Sequence, residues 1–137
     1  MRMFLSLFFN PISKNMNNNL TVSELQAVCH GNAVAAGWYT DLATGLPKVM
    51  NKGERFMLMV SEISEAMEGA RKNLMDDKLP HRKMEEVEMA DCVIRILDFC
   101  GAEGYDLEGA IIEKLAYNQH RPDHKKENRV LEGGKAF

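Results

Sequence analysis

GERFMLMVSEISEAMEGARKNL, residues 53–74, and RKMEEVEMADCVIRILDFCG, residues 82–101, decide how this chain folds. In the first, Phe56, Val60, Ile63, Met67, Ala70 and Leu74 recur at spacings of four and three, the period of one helix face. The pattern predicts a helix from about Gly53 to Leu74 that packs on the core through this stripe. In the second, Val87, Met89, Ala90, Cys92, Val93, Ile94, Ile96, Leu97, Phe99 and Cys100 surround the axis. They leave one polar ridge, Glu88, Asp91, Arg95 and Asp98, in a helix predicted from about Arg82 to Gly101. A helix apolar on so many sides needs more neighbours than one small bundle supplies, which predicts a homodimer or homotetramer.

Each segment also carries an acidic pair, Glu62 with Glu65 and Glu88 with Asp91. Residues three apart share a helix face, so two such helices side by side would converge four carboxylates. Hard oxygen donors in that number suit Mg²⁺ or Mn²⁺. Acidic pairs also decorate many solvated helices, and the ridge of the second segment reads equally as a solvent stripe with an Asp91–Arg95 pair worth a few tenths of a kcal/mol. The site reading is favoured because Glu62 and Glu65 share their ridge with Leu58 and Gly69, a mixture suited to a second packed face.

Thr21 or Ser23 caps a first helix, with Glu24 completing a capping box and Val22, Leu25, Cys29 and Ala33 as its apolar positions. Gly37 ends it, and residues 37–52 form a loop punctuated by Gly and Pro that holds the only Trp. Met75 to Pro80 turns the chain. A fourth helix runs from about Leu107 to His120 and stops at Pro122. Four helices, short connections and no strand predict an all-α, four-helix antiparallel bundle. Residues 123–137 are a polar, Gly-rich tail, expected to be either disordered or an arm laid over a neighbour.

With 137 residues and a formal charge of −3, the chain is a one-domain protein without the clustered cations of a nucleic-acid surface. Cys29, Cys92 and Cys100 show no zinc spacing and read as reduced thiols of a cytoplasmic protein. No run is long enough for a membrane span. The apolar start MRMFLSLFF lacks a cleavage site, so residues 1–20 are expected to be a flexible arm or an upstream extension, with Met16 an alternative start.

The fourth helix supplies complementary chemistry. Lys114, Asn118 and Arg121 repeat at four and three, giving two cations and an amide on one ridge, either for phosphate oxygens or for the helix's own C-terminal dipole. Arg71 and Lys72, at the end of the second helix, invite the same two readings.

The ordered set Glu62-x-x-Glu65, Glu88-x-x-Asp91 and Lys114-x₃-Asn118-x-x-Arg121, spread over SEISEAMEG, EMADCVIRILD and KLAYNQHRPDHK, resembles the MazG-like family of all-α nucleoside triphosphate pyrophosphohydrolases. The likeness runs from Arg55 to Arg121. It departs from the family at Ser61, where a further Glu often precedes the first pair. The resemblance implies a catalytic domain over residues 21–122 that cleaves a (d)NTP between its α and β phosphates, giving the monophosphate and pyrophosphate. It implies Glu62, Glu65, Glu88 and Asp91 as catalytic metal ligands for Mg²⁺, with Mn²⁺ able to substitute. Lys114, Asn118 and Arg121 would bind the triphosphate, with Arg71 and Lys72 as lesser candidates.

His30, Asn32, Trp38 and Tyr39 fall where related members contact the nucleobase, an amide to read polar edges and an aromatic to stack on. Trp38 and Tyr39 could equally serve packing, and His30 the helix surface. The chain is most similar to short stand-alone phage proteins of the family, including a MazZ-like branch acting on dATP and dGTP. Purine dNTPs are therefore the expected substrates, with housecleaning of non-standard or pyrimidine nucleotides as the alternative. A ferritin-like di-iron bundle is excluded because no His follows a Glu by three residues. A non-catalytic helical partner-binding protein, its acidic ridges merely solvated, remains the competing class.

Overall fold

The computed structural model describes residues 19–137; most of the N-terminal arm, with Met16, lies outside the described residues. Helices α1 (Val22–Ala35), α2 (Lys52–Lys72), α3 (Met84–Glu103), α4 (Leu107–His120) and the single turn α5 (Lys126–Arg129) follow in order, with a 3₁₀ turn at Pro122–His124. Among the described residues no strand forms, only the isolated bridges Thr40–Pro47 and Met75–Lys83. The protein is all-α, and no helix among those described is long and apolar enough to cross a membrane. Two units are distinguished, one ending at Tyr105 and one spanning Asp106–Phe137.

In the first unit α1 and α2 both pack on α3. Rising numbers on α2 meet falling numbers on α3, Arg55 with Asp98, Glu62 with Arg95, Gly69 with Met84, so the two run antiparallel. Alpha1 is antiparallel to α3 as well, with Gln26 donating to the Tyr105 carbonyl and His30 meeting Asp98. Thr21 caps α1 as a full capping box, its Oγ1 accepting from the Glu24 amide at 3.1 Å while its own amide donates to Glu24 Oε2 at 2.7 Å.

Alpha2 begins at an Asn51 cap and stops two residues short of Leu74, because Asn73 turns left-handed at φ 50° and the Leu74 amide closes on the Gly69 carbonyl. Alpha3 starts at Met84 rather than Arg82. The chain between them is a tied turn: buried Asp76 accepts from the Lys78 and Leu79 amides, and the Asp76 and Met84 amides donate to the Arg82 and Leu74 carbonyls.

Alpha3 runs through Gly101 to Glu103 and ends at Gly104, φ 68°. Gly101 is instead the crossing point with α1, where an added Cβ would lie 2.5 Å from His30 Cβ. Gly101→Ala is therefore expected to lower stability by about 1–3 kcal/mol through overpacking, outweighing a helix-propensity gain of up to about 1 kcal/mol. Urea denaturation measures this, and a variant as stable as the parent would refute the close crossing.

The core differs from the predicted one. On α2 the buried residues are Glu62, Ala66 and Gly69, whereas Phe56, Val60, Ile63, Met67 and Leu74 of the apolar stripe are each 40% or more exposed. Small Ala66 and Gly69 let α2 approach α3 closely, and the bulky stripe is left on an outer flank. Alpha3 buries Cys92, Leu97, Phe99 and Cys100 but exposes Met89, Val93 and Ile94. Between these flanks lies an open apolar groove lined by Ile63, Ala66, Met67, Ala70 and Met89 with Lys83, Glu85 and Glu86 at its side. All three cysteines are free thiols, and burial raises the pKa of Cys29 and Cys100.

In the second unit the tail after His120 is not wholly irregular. Asp123 takes both Arg121, at 2.7 Å, and Lys135, at 2.6 Å, and the Asn128 amide donates to the Pro122 carbonyl. These pairs hold the Asp123 carboxyl well below the usual range.

Candidate functional site

Glu62 and Glu65 on α2 and Glu88 on α3 each place a carboxylate oxygen within 4.8 Å of the others. Glu62 and Glu88 are buried; Glu65 is exposed. Three carboxylates so close repel one another, and the strain shows at Glu88, whose pKa rises from 4.5 to about 7. Burial is the largest cause, followed by a hydrogen bond with Glu62 and the charges of Glu65, Glu62 and Asp91. A divalent cation would remove that penalty, and the donor set, all hard oxygen, fits Mg²⁺ or Mn²⁺.

Asp91, predicted as the fourth ligand, stands outside this trio. Burial and the Glu62 charge raise its pKa, opposed by Arg95. The ion pair foreseen as the solvent-stripe alternative, Asp91 with Arg95, gives way to another: Arg95 Nε hydrogen-bonds Glu62 Oε1 across the helix interface. A guanidinium on one member of the trio supplies the positive charge that the cluster otherwise lacks.

Beside the carboxylates lies an open cavity of about 610 Å³ bordered by α1, the loop after it, α2 and α3. Glu62, Asp91 and Arg95 line it together with Asn32, Trp38 and Tyr39, three of the four residues predicted for base recognition. Leu25, Val28, Leu58 and Ile94 supply apolar wall. Trp38 is 65% exposed, its indole available as a platform. His30, the fourth, serves differently: its Nδ1 meets Asp98 Oδ1 at 3.0 Å and its ring packs edge-on against Tyr39.

Arg71 and Lys72 both pair with Glu68 within α2 and are well exposed, as helix-terminal charges are. Lys114, Asn118 and Arg121 lie in the second unit, where Lys114 Nζ stands 4.6 Å from the Tyr117 ring centre and Arg121 holds Asp123. Asn118 Oδ1 is buried with no hydrogen-bond partner among the described residues.

One constellation escaped the sequence reading. Asp98 accepts from Tyr39 OH at 2.7 Å and pairs with His30 on one oxygen, and accepts from Arg55 Nη2 at 2.8 Å on the other. The Arg55 guanidinium lies 5.1 Å from the Tyr39 ring centre and 5.3 Å from that of Phe99. Burial, and then the bond to Asp98, push the Tyr39 hydroxyl up to about 12, so it stays protonated. The available signal was periodicity: Arg55 stands seven residues before Glu62 and Asp98 seven after Asp91, two turns along the same ridges.

No family model matches this chain, and neither a curated protein nor a solved structure is significantly similar to it.

Proposed function

We propose that the protein is a metal-dependent (d)NTP pyrophosphohydrolase, cleaving between the α and β phosphates, with purine deoxynucleotides favoured. The observation that carries this reading is the joining of two features in one unit. Three carboxylates converge within 4.8 Å, and Glu62 of that trio also lines a cavity of about 610 Å³ walled by an aromatic and an amide. Glu62, Glu65 and Glu88 would hold the cation, with Asp91 as an additional ligand at the cavity wall. Bound there, the metal supplies charge to offset the leaving pyrophosphate and lowers the pKa of a water. The exposed Glu65 is suited to orient an attacking water, because its carboxylate faces solvent beside two buried ones. Trp38 offers its face to the base, and Asn32 a donor and an acceptor to its edge. The resemblance assigns the triphosphate to Lys114, Asn118 and Arg121.

The four-helix bundle and the homodimer or homotetramer belong to the same proposal. The bare flank of α2 and α3 supports association, since Phe56, Val60, Ile63, Met67 and Val93 form an apolar surface that a second copy would cover. That surface also favours the second reading, a helical partner-binding protein without catalysis. A panel of the common (d)NTPs with Mg²⁺ separates the two: we expect pyrophosphate rather than orthophosphate, with dATP and dGTP ahead of dCTP and dTTP. No pyrophosphate from any nucleotide, together with no stabilisation by Mg²⁺, would leave the partner-binding reading standing.

A further inference from the structure

The cavity has two chemically different ends. Glu62 of α2 and Asp91 of α3 stand at one; Arg55 and Asp98 stand at the other, each seven residues away along its helix, or about 10 Å at the rise of an α-helix. That separation is of the order that divides the 5′ oxygen of a nucleotide from the far edge of its base. A nucleotide with its phosphates at the carboxylate end therefore brings its base to Arg55.

Arg55 is built to present fixed donors. Its side chain is only 12% exposed, Tyr39 and Phe99 pack against the guanidinium, and Asp98 holds Nη2. Asp98 and the Tyr39 oxygen cannot use all five guanidinium N–H groups. Asp98 itself is occupied by His30, Tyr39 and Arg55, which leaves it little capacity to accept from a ligand.

We propose that Arg55 determines base specificity, its guanidinium donating to the O6 and N7 acceptors of a 6-oxopurine, with Asp98 as the residue that positions it. An adenine would instead set its N6 amino group, a donor, against the donors of the guanidinium. The inference rests on the pyrophosphohydrolase reading and narrows it to guanine-type nucleotides.

Calorimetric binding of the non-hydrolysable α,β-methylene analogues of dGTP and dATP, with Mg²⁺, tests it. The guanine analogue is expected to bind roughly tenfold or more tightly than the adenine one. Arg55→Met should bring the two within about twofold, and Asp98→Asn should shrink the same ratio while the adenine analogue's affinity changes less. Should either variant fail to fold, the unmutated protein still decides: the 7-deazaguanine analogue, which lacks the N7 acceptor, is expected to lose several-fold in affinity. Equal binding of both purines, a ratio kept in Arg55→Met, or no loss with 7-deazaguanine overturns the assignment. If neither purine binds and no nucleotide yields pyrophosphate, the functional reading falls and this inference with it; if both bind equally, only the base assignment falls.

Discussion

Glu62→Gln, Glu65→Gln and Glu88→Gln are each expected to lower turnover by roughly a hundredfold or more at saturating Mg²⁺, and Asp91→Asn to share the loss. The expectation follows from convergence: the first three carboxylates lie within 4.8 Å of one another, so removing one charge would weaken the whole of the proposed cation site. The fold should survive. In metal-free buffer at pH 8, Glu88→Gln is expected to be at least as stable as the parent, because a neutral amide relieves repulsion from Glu65, Glu62 and Asp91. Steady-state assays and thermal melts measure the two effects. Near-normal turnover in both Glu65→Gln and Asp91→Asn would show that the site lies elsewhere.

Metal affinity is expected to depend steeply on pH. Glu88 titrates near 7 in the folded protein and near its ordinary 4.5 when unfolded. The raised folded value favours the protonated native state, so that contribution to stability is fully present below about 4.5 and disappears as pH rises through about 7. Metal binding has the opposite slope, since the cation needs the ionised carboxylate and must displace the proton below pH 7. Mn²⁺ affinity should thus fall about tenfold per pH unit as pH drops below 7, and level off above it. Asp91, also raised, adds to the same trend. Isothermal titration across pH 5.5–8.5 measures the slope. Glu88→Gln should flatten it; an equally steep dependence in that variant would assign the proton to another group.

Much of this was legible in the chain. The 3–4 spacing of α2, the capping box at Thr21 and Glu24, and the stop at Pro122 marked helices whose observed ends differ by about two residues at most. Of the ridge read as a second packed face, Glu62 and Gly69 are buried, with Gly69 allowing close helix approach, whereas Leu58 and Glu65 stay exposed. The stripe of Phe56, Val60, Ile63 and Met67 was misjudged as the core face. Periodicity reports which residues want cover, and it does not say whether cover comes from the same chain. Arg55 and Asp98 were not foreseen as partners, since their pairing depends on the register of α2 against α3, a tertiary quantity that neither helix encodes alone. Likewise Arg95 looked like a local partner for Asp91, yet the antiparallel packing brings Glu62 nearer to it.

The apolar groove between α2 and α3 has a consequence in redox chemistry. Met67 and Met89 both line it and both are at least half exposed, so their thioethers stand open to oxidants in a lone chain. Oxidation to the sulfoxide turns a soft apolar side chain into a polar one and would spoil the flank as a contact surface. A second copy seated there, as proposed, would shield the sulfur atoms, and the rate at which peroxide modifies Met67 and Met89 should then fall as protein concentration rises.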